Sequence, residues 1–484
     1  MVTRTGSQDG ATSPSDANLS HGVLGAADIT FMVIAVAAPV AVVVATLPLA
    51  FALGNGSGVA GTFILVAIAM TLLAAGYVKL VPQIPNAGAF YAIIAASFGR
   101  LWGLAAAYVA LISYVALCCA TLGALGFFTS DLIQRMAGIS LSWTANSFIW
   151  LAILTALSYY RITLTAKLLG LALVSEVILI VFLDFAIISQ NGWRLPLEPI
   201  MPQTVFAPGL GIAAIYAFNS CIGFEGTAIY QEEARDRERT IRRATYAFIA
   251  IIAIFYVLTA WCLATAAGAE GVAAAAARDP GHFVFAVALR HLGRTAEYML
   301  SILVVTSAFA AVLGLFNNSA RYIFALARDG LLPAPFARTH RRFGSPFLAG
   351  LPVIALLIVT VIGFTAAGLD PLLSLATSLT GVGSVGLMIL LAMTGFAIPV
   401  YFRKQGQSGV VNSLLPALGG LMTAVAAGLS VLNYEALTGS ASPIINRLPL
   451  ILIVVAAAGT AQAIWMRANR PEVFRRIGTT VIEE

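Results

Sequence analysis

The chain has 484 residues, of which 60% are hydrophobic and only 10% charged, and its mean hydropathy is +0.93. Apolar runs long enough to cross a hydrocarbon core of about 30 Å recur along its whole length, which excludes a water-soluble domain and defines an all-α polytopic membrane protein. Cys118, Cys119, Cys221 and Cys262 all fall within apolar segments, and with only four scattered histidines neither a disulfide framework, a metal site nor a cofactor is expected.

The first 27 residues are polar and lack the basic, apolar and small-residue succession of a cleavable signal, so they read as a tail ahead of a true first helix. Twelve spans follow, roughly at 28–53, 58–80, 100–130, 145–160, 163–190, 208–231, 243–268, 295–327, 347–367, 371–401, 412–433 and 447–467. With the amino terminus in the cytoplasm, only Arg135, Arg194, Arg278, Arg290, Arg294 and Arg447 remain outside. The run Arg235, Arg237, Arg239, Arg242 and Arg243 and most other basic residues fall inside. That bias fixes both termini in the cytoplasm, and the net charge of +6 then reflects topology and implies no nucleic-acid partner. The chain divides into a tail at 1–27, a core of ten spans at 28–405, two further helices at 406–468 and a tail at 469–484.

The first span carries Ala37-Ala38-Pro39-Val40 at mid-depth, where proline removes a backbone donor and clashes with the preceding turn. The fifth carries Glu176 near its middle, with no basic residue within a helical turn, and Asp184 two turns further out. Loss of water acts on the charged form of such a carboxylate, which makes Glu176 a candidate for proton exchange. The sixth is interrupted by Asn219, Ser220, Gly223 and Glu225. A lone acid at that depth persists where it faces a cavity or partner, and the flanking glycines let the helix loosen. Interruptions five spans apart point to inverted repeats around a midplane substrate site. The GVGSVG stretch at 381–386 lies inside the tenth span without a strand-turn-helix context, and reads as close helix packing.

Three segments in register resemble the amino acid–polyamine–organocation (APC) permeases: PQIPNAGAFYAIIAASFGR after the second span, FNSCIGFEG with its QEEARDRERTIRRA tail in the sixth, and NNSARYIFALARDGLLPAPFARTHRRFGSP after the eighth. The resemblance covers most of residues 28–405. It implies the five-plus-five inverted-repeat fold of the leucine transporters with two extra carboxy-terminal helices, and transport of amino acids or related small amines. In that fold, backbone donors at the first break hold the substrate carboxylate, and carbonyls at both breaks hold its amine. By this resemblance Glu225 is the gating acid, and Asn86, Gly88 and Tyr91 shape the inner gate loop. Glu176 stands where several proton-coupled members carry a lysine.

One departure stands out: many members have a Gly-Ser-Gly type turn where this chain has Ala-Ala-Pro-Val, which leaves fewer free donors. A substrate carboxylate would depend on the amides of Ala38, Val40 and Ala41; otherwise the pocket suits an amine or another small solute. Counted from the start of the third helix, Ser113, Tyr114, Cys118 and Thr121 would face the substrate. Asn219 and Leu315 replace tryptophans of the family's arginine–agmatine exchanger, which implies a roomier pocket. Sodium would need hydroxyl ligands on the eighth helix near Ala310 and Ala311, where none exists; Thr306 and Ser307 lie about one turn away. Protons or simple exchange are therefore expected in preference to sodium. The absence of an ATP-binding segment points to secondary transport, and the absence of an acid, base and nucleophile cluster argues against an enzyme. The alternatives are a membrane solute sensor on a transporter-like fold, or a sodium-coupled or facilitative carrier of another small organic solute.

Overall fold

The computed structural model describes residues 24–84, 90–159, 163–229, 231, 234–339, 346–438 and 442–478. Asn86 and Gly88 of the expected gate loop lie outside the described residues, as do most of both tails. Helices dominate, and no strand occurs among the described residues. Among the described residues, ten helical segments are long and apolar enough to cross a membrane, and each coincides with one of the expected spans. The two remaining expected spans are the 17-residue helix Trp143–Tyr159 and the interrupted sixth, whose longest piece is Leu210–Asn219.

The third span, Arg100–Ala137, forms the centre of the bundle and packs against the eighth (Arg294–Arg328), tenth (Thr377–Lys404) and twelfth (Leu450–Asn469). Small residues permit this approach. A Cβ added at Gly386 would collide with Ser113 Oγ, and one at Gly383 with Leu117, so the glycines of the GVGSVG stretch bring the tenth span against the third.

Two spans are broken. The first runs helically over Ala26–Ala37, turns through Ala38 in the left-handed region (φ 46°, ψ 69°), and restarts at Pro39. Proline suits the first position of the new segment because its φ is already helical and its missing N–H has no intrahelical role there. A wider π turn over Val42–Thr46 follows before regular helix resumes at Leu47–Leu53. The sixth span stops at Asn219, passes through turns at 220–225, and resumes at Gly226–Ile229. Gly223 has φ +111°, a conformation L side chains rarely adopt, and a Cβ there would sit 2.9 Å from the Val33 carbonyl oxygen of the first span. Glycine therefore both makes the turn and lets the two broken spans touch. Beyond the breaks, Arg235 N donates to Leu24 O at 3.0 Å, joining the chain before the first span to the chain after the sixth.

Candidate functional site

A cavity of ≈ 80 Å³ lies against the two breaks. Each wall is a stripe of one helix face. Ala37, Ala41 and Ala45 come from the first span, Leu117, Thr121, Ala124 and Phe128 from the third, and Ala308, Ala311 and Leu315 from the eighth. Tyr216, Asn219 and Ile222 come from the sixth, and Leu372, Ala376 and Thr380 from the tenth. In the third and eighth spans, recurrence at three and four residues places these side chains on single faces. No charged residue is among the lining side chains. Polarity comes from Thr46, Thr121, Tyr216, Asn219 and Thr380. Thr121 spends its hydroxyl hydrogen on the Leu117 carbonyl of its own helix at 2.8 Å. Asn219 accepts from Ser384 Oγ at 3.2 Å through Oδ1, which leaves its amide nitrogen as a donor. The Tyr216 hydroxyl, on a residue only 1% exposed, has no hydrogen-bond partner among the described residues. A buried polar group normally has one, so this hydroxyl is available for hydrogen bonding on the cavity wall.

At the first break the backbone donors are engaged internally. Ala38 N–H donates to the Ala35 carbonyl at 3.3 Å, and Pro39 has no N–H. Val40 N–H faces the Glu176 carboxylate. Ala41 N–H donates to Ser307 Oγ at 3.2 Å, and Ser307 in turn donates to Glu176 Oε2 at 2.6 Å. Glu176 thus ties the fifth span to the restarted half of the first and to the eighth, at the end of a half-helix where exposed N–H groups favour a negative partner. The carbonyls of Val36 and Ala37, which in an unbroken helix would receive the N–H groups of Val40 and Ala41, lose those donors.

At the second break, Glu225 is buried at 3% exposure. It accepts from Tyr114 Oη through Oε1 and from Gly223 N–H at 3.2 Å through Oε2. The Tyr114 ring packs 5.5 Å from that of Tyr322 in the eighth span, and Phe224 packs 4.6 Å from Tyr77 in the second. Glu225 therefore joins the sixth span to the third, and Gly223 makes the contact with the first.

Of the residues singled out in the sequence, Ala37, Ala38, Ala41, Thr121, Asn219 and Leu315 line the cavity. Others stand away from it. Ser113 is buried against Gly386 and bonds its own helix at Val109. Cys118 bonds the Val312 carbonyl of the eighth span at 3.6 Å, Tyr114 belongs to the Glu225 cluster, and Ser220 bonds back to Tyr216 at 2.8 Å. The amides of Ala38, Val40 and Ala41 are not free donors, because protein groups take them. Thr306 bonds the Leu303 carbonyl of its own helix, so of the two hydroxyls considered for a cation only Ser307 points to the first span. Tyr91 donates to Asp329 Oδ2 at 2.7 Å. Sequence reasoning missed Tyr216, Thr46, Thr380 and the alanine stripes. Tyr216 precedes Asn219 by three residues and so shares its face, and that spacing was the available signal.

A helical bundle whose first and sixth spans break against one another beside a buried cavity defines a membrane carrier of the leucine-transporter fold. A family model for amino acid permeases matches residues 24–462, and the chain belongs to that family. The methylthioribose transporter of Bacillus subtilis (strain 168) is 23% identical over 371 residues, covering 73% of this chain and 76% of the relative. The branched-chain amino acid permease BcaP of Lactococcus lactis subsp. cremoris is 23% identical over 378 residues, with the same shares covered. Among solved structures, the fold is similar to a mutant of the Eremococcus coleocola manganese transporter, with TM-score 0.54 and 13% identity over 92% of this chain and 95% of that one.

Proposed function

We propose that this protein is a secondary active permease that carries an amino acid or a related small amine across the cytoplasmic membrane by alternating access, coupled to protons or by exchange. The observation that carries this reading is the pairing of two helix breaks beside one cavity, each break held by a buried carboxylate. The positive-inside bias supports cytoplasmic termini. In that orientation the cavity extends from the breaks toward Phe128 and Leu372, on the outer side, while Tyr114–Glu225 and Leu24–Arg235 close the inner side. The substrate sits against the breaks, and inward opening separates the sixth span from the third.

Glu176 is the coupling group in this reading. As a carboxylate it accepts from Ser307 Oγ and faces Val40 N–H. Once protonated it carries a donor of its own, which contests one of those bonds and loosens the first break from the eighth span. Proton binding and helix rearrangement are thereby linked. Purified protein in liposomes tests the proposal. Solute accumulation driven by an inward proton gradient without sodium is the expected result, and dependence on sodium would refute the coupling.

A further inference from the structure

In the transporter reading, the first break is where a substrate carboxylate would be held. Here the positions are already filled. Val40 N–H meets Glu176, Ala41 N–H meets Ser307 Oγ, and Ser307 passes its own proton to Glu176 Oε2 at 2.6 Å. A carboxylate of the protein therefore occupies the anion position at the start of the restarted half-helix. Acceptors remain: the carbonyls of Val36 and Ala37 have lost their helical donors, and Ala37 and Ala38 line the cavity.

The surrounding charge points the same way. Among the described residues Glu176, Asp184, Glu225 and Asp329 are buried carboxylates, and no lysine or arginine is buried. Glu176 and Glu225 flank the two breaks. A second carboxylate brought into the cavity would find no cation among the lining residues to answer it. Its available donors, the Asn219 amide and the Tyr216 hydroxyl, are neutral. An ammonium group meets free carbonyls and a negative field, which is the favourable arrangement.

We propose that the carried solute is a cationic amine lacking a carboxylate, and that Glu176 stands in for the carboxylate an amino acid would bring. This rests on the reading of the cavity as a transport site and narrows its substrate class.

The test uses pairs that differ only in the carboxylate: isoamylamine with leucine, and 3-(methylthio)propylamine with methionine. Binding is measured by titration calorimetry and thermal shift on the purified full-length protein. Each amine should bind at least about tenfold more tightly than its amino acid. Glu176→Ala should free the Val40 and Ala41 amides, raising leucine affinity about tenfold while isoamylamine affinity falls. Ser307→Ala, a milder change that frees only the Ala41 amide, should move the ratio in the same direction should the first variant fail to fold. An amino acid binding the native protein more tightly than its amine would overturn the inference. So would failure of both amines to bind, or an affinity ratio unchanged in the variants. Flux in liposomes separates the two levels. Leucine transport with no amine transport ends this inference and leaves the carrier reading intact, whereas tight amine binding without flux ends the carrier reading and, with it, the claim that the amine is carried.

Discussion

Tyr114 Oη, in the third span, donates to Glu225 Oε1 at the break of the sixth, and the other oxygen of that carboxylate receives the Gly223 N–H. One side chain thus holds the broken span both to itself and to the centre of the bundle. Glu225→Gln keeps the shape but places an amide where the carboxylate oxygens accept two donors, so one of those contacts becomes donor against donor. Turnover should fall about tenfold while substrate affinity changes less than about threefold. Initial uptake rates in liposomes, compared with equilibrium binding, measure the two effects separately. Unchanged uptake at saturating substrate in correctly inserted protein would leave Glu225 a purely structural hydrogen-bonding group.

A different outcome is expected for Glu176→Gln, because a group that never releases a proton cannot link two equilibria although both loaded conformations remain reachable. Net accumulation driven by a proton gradient should vanish, and solute-for-solute exchange should survive at a rate within about threefold of native. Counterflow and gradient-driven uptake on the same liposome preparation read the two processes. Continued accumulation by the variant would remove Glu176 from the coupling path.

Gly223→Ala tests the contact between the breaks. The backbone stands at φ +111°, and the new Cβ would lie 2.9 Å from the Val33 carbonyl oxygen, part of the main chain, which cannot swing aside as a side chain can. Strain of about 1–3 kcal/mol is expected, seen as a lower apparent melting temperature. Transport should fall further than stability predicts, since the same contact couples the first and sixth spans. A melting curve identical to native would show that this turn tolerates a side chain.

At the end of the bundle where the third and eighth spans meet, His282 lies between two acids, with Nε2 3.0 Å from Asp131 Oδ1 and Nδ1 2.8 Å from Asp279 Oδ2. The hydrogen bond to Asp131, aided by that to Asp279, holds its imidazolium above the usual histidine range. A group whose folded value is raised adds stability that is fully present below the unfolded value, about pH 6.5, and is lost as pH rises through the folded value. Melting temperature should therefore decline as pH rises from about 6.5 through the raised folded value, and His282→Gln should flatten that decline. A parallel decline in the variant would assign the effect to other groups.

Much of this protein is written in its sequence. Uninterrupted apolar length forces helices in a medium that offers the backbone no hydrogen-bond partners, so the spans follow from residue type alone. Pro39 and the Asn219-to-Glu225 segment violate that rule locally, which made both breaks legible, as the unpaired charges made Glu176 and Glu225 legible. The pocket wall was less so. Every face of these helices is apolar, and hydropathy carries no record of whether a face meets lipid, a neighbouring helix or a cavity. Ser113 and Ala308 show this: the serine is buried against Gly386, and the alanine lines the cavity. Packing also decided what the break amides do. The sequence shows that Pro39 removes one donor. That Glu176 and Ser307, 131 residues apart, converge to take the next two depends on the fifth and eighth spans lying against the first. Such long-range placement is set by how small residues let helices approach, a property of the assembled bundle and of no single segment.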